Sequence, residues 1–357
     1  MARPVIDLLR QHRPELQLAY TWFSPSAEAF ARSVAADIAD YLPFDTTGSA
    51  RTLLDALAPS AIVFSKLDVW PLLAAEAAAR GIPLALTSAA LSEESGRRSW
   101  PARLLLRDAY ASLGSVGAVH ADDAARLVEL GVRTAHVSVT GDVRYDQVWE
   151  RVRNPSVTTD LLARLASTRP TIVAGSTWPA DEAPLFEAWP ELRRRVPTLR
   201  LVVAPHEPTD AHVEAIAVKA RAAGAAAARL DAADPGSDVV IVDRVGVLAD
   251  LYPLAGVAFV GGGFHDAGLH SVVEPAAHGV PVLFGPRHRA SRDAAALQQA
   301  GGGFTVASST DLASRVTSLL SDESARRLAG ERARGVVAAG LGAAERSAAL
   351  VESLLAR

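Results

Sequence analysis

The sequence predicts two doubly wound α/β domains in tandem. Short apolar runs of strand length alternate with helical stretches along most of the chain, which is the pattern of βαβ units with parallel sheets. This alternation lapses over residues 142–169 and then resumes with a new strand. At 357 residues the chain is longer than one typical domain, so its length also favours two domains.

The first domain is predicted over residues 1–150, and residues 151–169 form a linker. The domain opens with an amphipathic helix around Val5 to Arg10 and continues through five apolar runs. These runs are residues 16–23, 61–64, 83–87, 118–120 and 135–139. The linker contains a polar helical stretch and Asn154-Pro155-Ser156, which is typical of a domain boundary.

The second domain is predicted over residues 170–357. Its six apolar runs are residues 171–174, 201–204, 239–242, 257–260, 281–284 and 303–306. Residues 211–230 are rich in alanine and predict one surface helix. The tail, residues 323–357, is also predicted to be helical and to be able to pack back across the domains.

Composition excludes several classes of protein. Hydrophobic residues make up 49% of the chain and charged residues 21%, which argues against disorder and against a membrane protein with many spans. The formal net charge of −4 gives no general attraction to nucleic acid. The chain has no cysteine, so disulfides, cysteine metal sites and thiol nucleophiles are excluded, and a reducing cytoplasm is expected.

A glycine-rich turn after a strand is the strongest candidate for a ligand site. Gly262 and Gly263 follow the run at residues 257–260, and a helix begins soon after them. Backbone amides of such a turn can receive a phosphate with no side chain in the way. Glu274, one turn into the helix, is placed to accept hydrogen bonds from ribose hydroxyls. For the glycines alone, a tight turn between strand and helix is the structural alternative.

Two further strand ends in the second domain carry candidate residues. Gly175, Ser176 and Thr177 end its first strand, where a helix cap is the alternative. His206 ends the next strand, where an ordinary polar loop is the alternative. Because parallel strands bring their carboxyl ends to one edge of a sheet, these residues are expected to converge on one site.

The first domain has weaker candidates. Lys66 and Asp68 follow the strand at residues 61–64, and the alternative is that Asp68 caps a helix while Trp70 lies in the core. Arg97 and Arg98 begin a basic and apolar stretch that runs over residues 97–107. That stretch suits an anionic amphiphile or a membrane surface, and a solvated helix face is the open alternative.

Several catalytic motifs are absent. The chain has no phosphate-binding loop of the Gly-x-x-x-x-Gly-Lys-Ser/Thr type, no His-Glu-x-x-His pair and no Gly-x-Ser-x-Gly elbow. The histidines, including His270, His278 and His288, form no recognisable ligand cluster, so no metal site and no cofactor are expected. Asp122 and Asp123 start a predicted helix and favour a cap over a metal site.

Two doubly wound domains of similar size suggest a ligand cleft between the carboxyl ends of their sheets. Glycosyltransferases of the GT-B type commonly have this layout, and dehydrogenases and periplasmic binding proteins share it. The lack of a signal peptide disfavours a periplasmic binding protein.

The chain resembles the 3-deoxy-D-manno-octulosonic acid (Kdo) transferases over nearly its whole length. The segments that carry the resemblance occur in the family's order and at similar spacing. They are residues 23–26, 41–45, 66–70, 81–83, 140–146, 174–178, 204–207 and 261–286.

The resemblance implies an inverting, metal-independent GT-B enzyme of lipopolysaccharide biosynthesis. It would move Kdo from CMP-Kdo to a lipid A precursor at the cytoplasmic face of the inner membrane, as a peripheral protein. It also implies which residues bind. The donor site would be formed by Gly175, Ser176, Thr177, His206, Gly262, Gly263, His270 and Glu274, the acceptor site by Lys66, Arg97 and Arg98, and Asp68 would be an acidic cleft residue.

The sequence departs from the family pattern at three places. Many members have Pro-Arg-His-Pro at residues 205–208 and a glutamate in place of Asp68. The family also begins with a membrane-anchoring helix, a first strand and a loop ending in Gly-Glu, whose glutamate looks to be the general base. Those parts precede the first residue here, so the resemblance implies that the chain lacks that base, which leaves an active and an inactive transferase both open. The alternatives are another GT-B transferase of nucleotide sugars and a non-catalytic protein that binds CMP.

Overall fold

The computed structural model describes residues 2–154 and 159–355, which divide into two compact units. Unit 1 runs to Gln147 and includes the chain from Gly340 onward. Unit 2 comprises Val148–Ala339. Across the described ranges, no helix combines the length and the apolar character that a bilayer crossing requires.

Unit 1 contains two parallel sheets. Strands β1 and β2 pair with each other, and strands β3 to β6 form the second sheet in the order β3-β4-β5-β6. The strands are β1 Ala19–Trp22, β2 Ile38–Tyr41, β3 Ile62–Ser65, β4 Leu84–Ala89, β5 Ser115–Ala118 and β6 Val137–Val139. The helices are α1 Ala2–His12, α2 Glu28–Ala31, α3 Thr47–Leu57, α4 Pro71–Ala79, α5 Trp100–Ala111, α6 Ala121–Leu130 and α7 Val143–Arg153, which continues into unit 2.

Unit 2 is one parallel sheet of seven strands with helices between them. Its strands are β7 Thr171–Thr177, β8 Arg200–Pro205, β9 Ala227–Arg229, β10 Val239–Ile241, β11 Val257–Val260, β12 Val282–Phe284 and β13 Gly303–Thr305. Its helices are α8 Thr159–Leu165, α9 Pro179–Arg195, α10 Asp210–Ala222, α11 Leu248–Leu251, α12 Val273–Ala277, α13 Arg292–Ala300, α14 Ser309–Ser321 and α15 Glu323–Ala339. The chain then returns to unit 1 as α16 Ala343–Leu355.

The strand order in unit 2 places a topological switch point beside β7. The order is β13-β12-β11-β7-β8-β10-β9, so the chain builds outward from β7 on one side and then crosses to β11 on the other. Ligands of doubly wound sheets bind outside the carboxyl ends of the strands at such a point. Both faces of the central strands are covered, as parallel sheets require, because every residue of β8 and β11 is buried.

Short 3₁₀ turns join some of these elements. They are Pro25–Ala27, Gly96–Arg98, Thr134–His136, Leu230–Ala232 and Tyr252–Leu254.

Two strands were not expected from the sequence. Strand β2 is exposed at every residue, so it has no apolar run to reveal it. The alanine-rich helix ends at Ala222, eight residues before the predicted end at Leu230, and Gly224 with φ 78° leads into β9.

The domain limits also differ from those expected. Helix α8 lies within the predicted linker, but Leu161 and Leu165 are buried in the core of unit 2. Pro155 and Ser156 of the predicted boundary lie outside the described residues. Helix α16 packs on α1 in unit 1, through Ala348 and Val351 among others, so the second domain does not extend to residue 357. The reason is that α16 and α1 each have an apolar face, and they bury these faces against each other.

Candidate functional site

The predicted donor residues of unit 2 gather at the carboxyl ends of β7, β8 and β11, beside the switch point. Residues 175–178 end β7, His206 follows β8, and the glycine loop, residues 261–272, follows β11. The backbone N–H of His206 donates to the carbonyl of Thr177 at 2.9 Å, and that of His270 donates to Gly261 at 3.1 Å. The three strand ends therefore form one connected structure.

Strand β7 ends in a bulge at Ser176. Gly175 pairs with Ala204 and Thr177 pairs with Pro205, so β7 has one extra residue, Ser176, between these two pairs. Ser176 has φ 53°, a left-handed conformation that side chains other than glycine rarely adopt. Bulges and strained residues of this kind are common at functional sites, where they redirect a side chain.

Asp181, in the first turn of α9, fixes the glycine loop. Its carboxylate is fully buried and accepts backbone N–H groups from Gly262 at 2.8 Å, Phe264 at 3.0 Å and Trp178 at 2.9 Å. The amide of Gly262 was expected to receive a phosphate, but it is bound to this side chain instead. A carboxylate from within the chain occupies the amides that would otherwise attract an anion.

The glycines of the loop are required by close packing. A Cβ on Gly263 would overlap the backbone of Gly285, and a Cβ on Gly262 would overlap the carbonyl of Gly268. Gly262 also has φ 88°. At Gly175, a Cβ would collide with the hydroxyl of Tyr252. These glycines thus shape the site through backbone contacts.

Trp178 and three histidines form a cluster of rings at the same edge. The ring centroids of His206 and His270 are 4.4 Å apart. The Trp178 ring lies 4.7 Å from His206 and 4.5 Å from His265, to which it is nearly parallel. Its indole N–H donates to Nε2 of His270 at 3.1 Å. Burial lowers the pKa of His270, His206 lowers it further, and Asp181 opposes these effects.

Glu274 lies near an ionic pair in which Asp250 is buried and Arg151 is partly exposed. Arg151 donates to both carboxylate oxygens of Asp250, at 3.3 and 3.0 Å, and to the carbonyl of Gly246 at 3.1 Å. Burial raises the pKa of Glu274, Arg151 opposes this, and Asp250 adds to it. Burial also raises the pKa of Tyr252, and Glu274 contributes to that increase. Glu274 is therefore a partly buried carboxyl group whose surroundings disfavour its charged form.

Thr177 has a structural partner rather than a free hydroxyl. It is fully buried, and its hydroxyl donates to Glu182 at 3.3 Å. Glu182 also binds His212 and Lys219, each at 2.7 Å. This network ties the end of β7 to α9 and α10, which accounts for a threonine at this position.

In unit 1, Lys66 and Asp68 lie in the exposed turn after β3. Lys66 has φ 62°, and its N–H donates to the carbonyl of Thr87 at 2.8 Å. Asp68 does not cap α4, which was the alternative considered for it. Asp45 does so instead, accepting from the N–H groups of Leu72 at 3.0 Å and Leu73 at 2.9 Å.

Arg97 and Arg98 have different surroundings. Arg98 donates to Glu129 at 3.1 Å and to the carbonyl of Glu93 at 2.7 Å, so its charge is already partnered within unit 1. Arg97 is close to the hydroxyl of Tyr110. Burial raises the pKa of Tyr110, Arg97 opposes this, and Asp68 adds to it. Arg97 and Asp68 therefore both act on one buried tyrosine.

Sequence reasoning missed the residues that support the site. Asp181 stands three residues after Trp178, and Pro179 is the first residue of α9, which together are typical of a helix start. That signal predicts the cap but not the bonds to a loop 81 residues away. Trp178 and His265 lie within segments that the sequence singled out, but nothing in the sequence distinguished these two residues from their neighbours. Among residues 2–154 and 159–355, no group of His, Asp or Glu side chains is arranged to hold a metal ion.

Comparisons with known proteins agree with the fold and identify the family. A family model described as "3-Deoxy-D-manno-octulosonic-acid transferase (kdotransferase)" matches residues 1–147. The 3-deoxy-D-manno-octulosonic acid transferase of Bordetella pertussis is 30% identical over 370 aligned residues, which cover 99% of this chain and 84% of the relative.

Two solved structures show the same architecture along the whole chain. UDP-GlcNAc 2-epimerase from Neisseria meningitidis aligns with 100% of this chain and 96% of its own, with a TM-score of 0.70 and 16% identity. MurG from Acinetobacter baumannii aligns with 99% and 93%, with a TM-score of 0.58 and 15% identity. The fold is therefore GT-B, with two Rossmann-like units, as the sequence predicted. Together with the extent of its similarity to the Bordetella protein, this shows that the chain belongs to the 3-deoxy-D-manno-octulosonic acid transferase family.

Proposed function

We propose that this protein is a glycosyltransferase that moves Kdo from CMP-Kdo to a lipid A precursor, with inversion and without a metal ion. The observation that carries the proposal is the pair of imidazoles, His206 and His270, at the switch point of unit 2. Two such groups suit a donor that carries a phosphate and a sugar carboxylate. Membership in the transferase family supports the same reaction.

The donor binds at the edge of unit 2 through side chains rather than through the loop amides that Asp181 holds. His206 and His270 face the anionic groups of the donor. The redirected Ser176 offers a hydroxyl to the phosphate or to the sugar. Glu274 accepts hydrogen bonds from the ribose hydroxyls, and its partly buried position strengthens them.

In the transfer, the oxygen of the acceptor hydroxyl attacks the anomeric carbon of Kdo. The bond from that carbon to the phosphate oxygen breaks, and its electron pair leaves with CMP. Imidazole N–H groups stabilise the charge that develops on the phosphate. The proton of the acceptor hydroxyl passes to a general base. A base in this role typically contributes about 10²–10⁴-fold to the rate.

The acceptor and the membrane surface meet unit 1 at α5. Trp100 is 81% exposed, Leu104 63% and Leu105 76%, and Arg103 and Arg107 on the same helix are also exposed. Exposed apolar side chains beside arginines suit the interface of an anionic membrane, where the apolar groups insert and the cations face phosphates. Arg97 and Lys66 serve the phosphates of the acceptor.

A transfer assay tests the donor assignment. The protein is incubated with CMP-Kdo and a tetra-acylated lipid A precursor, and the product is followed by mass. Addition of Kdo in the wild type, with loss in the His206→Ala variant, supports the proposal. Transfer from a UDP-sugar instead would contradict it. Binding of CMP without any transfer would assign a non-catalytic role.

A sedimentation assay tests the membrane surface. The wild type should co-sediment with vesicles that contain phosphatidylglycerol, and the Leu105→Ser variant should bind these vesicles several-fold more weakly. The matched control is Leu328→Ser, because Leu328 is an exposed leucine of unit 2, 47% accessible. Equal loss in both variants would contradict a role for α5.

A further inference from the structure

The contact between Trp178 and His270 determines where the proton of His270 lies. An indole nitrogen has one hydrogen and accepts no hydrogen bond, so Trp178 is the donor in this pair. The acceptor is Nε2 of His270, 3.1 Å away. An imidazole nitrogen that accepts carries no hydrogen, so His270 is neutral and has its hydrogen on Nδ1.

The surroundings hold this arrangement in place. The backbone N–H of Trp178 donates to Asp181 at 2.9 Å, and the same carboxylate binds the loop that carries His270. One buried side chain therefore fixes both partners of the indole contact. The titratable groups that act on the His270 ring are His206 after β8 and Asp181 in α9. His265, on the same loop as His270, stacks on Trp178 at 4.5 Å.

The two neighbouring imidazoles, whose planes are tilted by 31°, consequently differ. Two protonated rings with centroids 4.4 Å apart would repel each other, so a positive charge on one ring disfavours a positive charge on the other. Protonation of His270 on Nε2 would also break its bond to Trp178. His206 has no such bond to an indole, and its backbone N–H is the group bound to Thr177.

We propose that Trp178 is a positioning residue that keeps His270 in the neutral tautomer with hydrogen on Nδ1, so that His206 is the imidazole that takes up a proton when an anionic donor binds. The first half of this statement concerns the free protein, and the second half rests on the proposed function. His270 then offers a neutral N–H to the ligand, while His206 supplies the charge. Trp178 acts through His270 and need not touch the donor.

Nitrogen NMR of the full chain labelled with ¹⁵N-histidine tests the first half without any ligand. The His270 signals are assigned with the His270→Gln variant. In the wild type near pH 7.5, Nδ1 should carry the hydrogen and Nε2 should not. In Trp178→Phe, which keeps a ring but lacks the N–H, hydrogen should appear on Nε2 and the pKa of His270 should rise by roughly 0.5–1 unit.

The matched control is Trp149→Phe. Trp149 packs under Arg334 in unit 2, 4.9 Å from its guanidinium carbon, and its replacement should leave the His270 signals unchanged. A wild-type spectrum with hydrogen on Nε2 of His270 would overturn the proposal, as would an unchanged spectrum in Trp178→Phe. If Trp178→Phe does not fold, the wild-type spectrum alone still decides the tautomer.

Titration of the labelled protein in the presence of CMP tests the second half. With CMP bound, the His206 signals should be those of a protonated ring, and Nε2 of His270 should remain without hydrogen. Protonation of His270 in place of His206 would contradict the assignment. If CMP does not bind at all, the proposed function fails, whereas the tautomer measured in the free protein stands on its own.

Discussion

Replacing Asp181 with asparagine should destabilise unit 2 strongly although the two side chains have nearly the same shape. The carboxylate accepts three backbone N–H groups, two on Oδ2 from Gly262 and Trp178 and one on Oδ1 from Phe264. An asparagine has one oxygen acceptor and one amino group. If its oxygen keeps the two bonds, its amino group faces the N–H of Phe264, and that buried donor has no acceptor.

The size of the effect follows from these contacts. Hydrogen bonds to a charged group each contribute about 1.5–3 kcal/mol, and neutral ones about 1 kcal/mol. Weakening two bonds and leaving one buried donor unsatisfied costs about 3–5 kcal/mol in the free energy of unfolding. For a unit of this size, each kcal/mol lowers the melting temperature by roughly 2–4 °C, so a fall of about 6–20 °C is expected.

Thermal unfolding followed by circular dichroism, together with urea titration, measures this change. The matched control is Glu187→Gln on the exposed face of the same helix, which should change the free energy of unfolding by less than about 0.5 kcal/mol. If Asp181→Asn stays within about 1 kcal/mol of the wild type, the three bonds do not hold the loop and the reasoning is refuted.

Four further predictions concern unit 2. Glu274→Gln should weaken CMP binding by about 10-fold or more in calorimetry, since a charged acceptor becomes neutral. The same variant should be more stable than the wild type in urea above pH 7. Burial raises the pKa of Glu274, so as the pH rises above 4.5 the carboxyl group loses its proton more readily in the unfolded chain than in the folded one, and this destabilises the folded wild type. Gly263→Ala should lower stability by about 1–3 kcal/mol in urea because its Cβ meets Gly285, whereas Gly335→Ala, whose Cβ has open space, should not. Burial lowers the pKa of His278, so the unfolded chain takes up a proton at this residue before the folded chain does, and the free energy of unfolding should fall as the pH drops below 6.5. Urea titrations at several pH values should show that the free energy of unfolding of His278→Gln depends less on pH than that of the wild type. An equal pH dependence in the two proteins would contradict this.

The sequence predicts the fold well where burial produces a clear pattern. Strand β11 lies at the predicted residues, Val257 to Val260, because all four are apolar and buried in a central strand. Strand β2 is exposed throughout and strand β9 lies in an alanine-rich stretch, so neither has such a pattern. The position of α16 depends on a contact with α1 at the opposite end of the chain, which no local signal can show.

The candidate site was predictable in its place but not in its bonding. Strand ends identify Ser176 and His206 because parallel strands bring their ends together, whereas His270 was indicated by the resemblance to the transferase family. The bond from Gly262 to Asp181 is a tertiary contact, so the sequence indicated a free amide where the structure has an occupied one. In the same way, Asp45 rather than Asp68 caps α4. Its carboxylate accepts the N–H of Leu72, 27 residues further along the chain, and such a tertiary contact has no local sequence signal.

Calorimetric titration of this chain with CMP and with UDP determines which nucleotide binds at the switch point of unit 2. We expect CMP to bind, UDP to bind at least 10-fold more weakly, and His206→Ala and Glu274→Gln each to reduce the affinity for CMP. Tighter binding of UDP than of CMP, or CMP binding that neither substitution changes, would contradict the donor site described for unit 2.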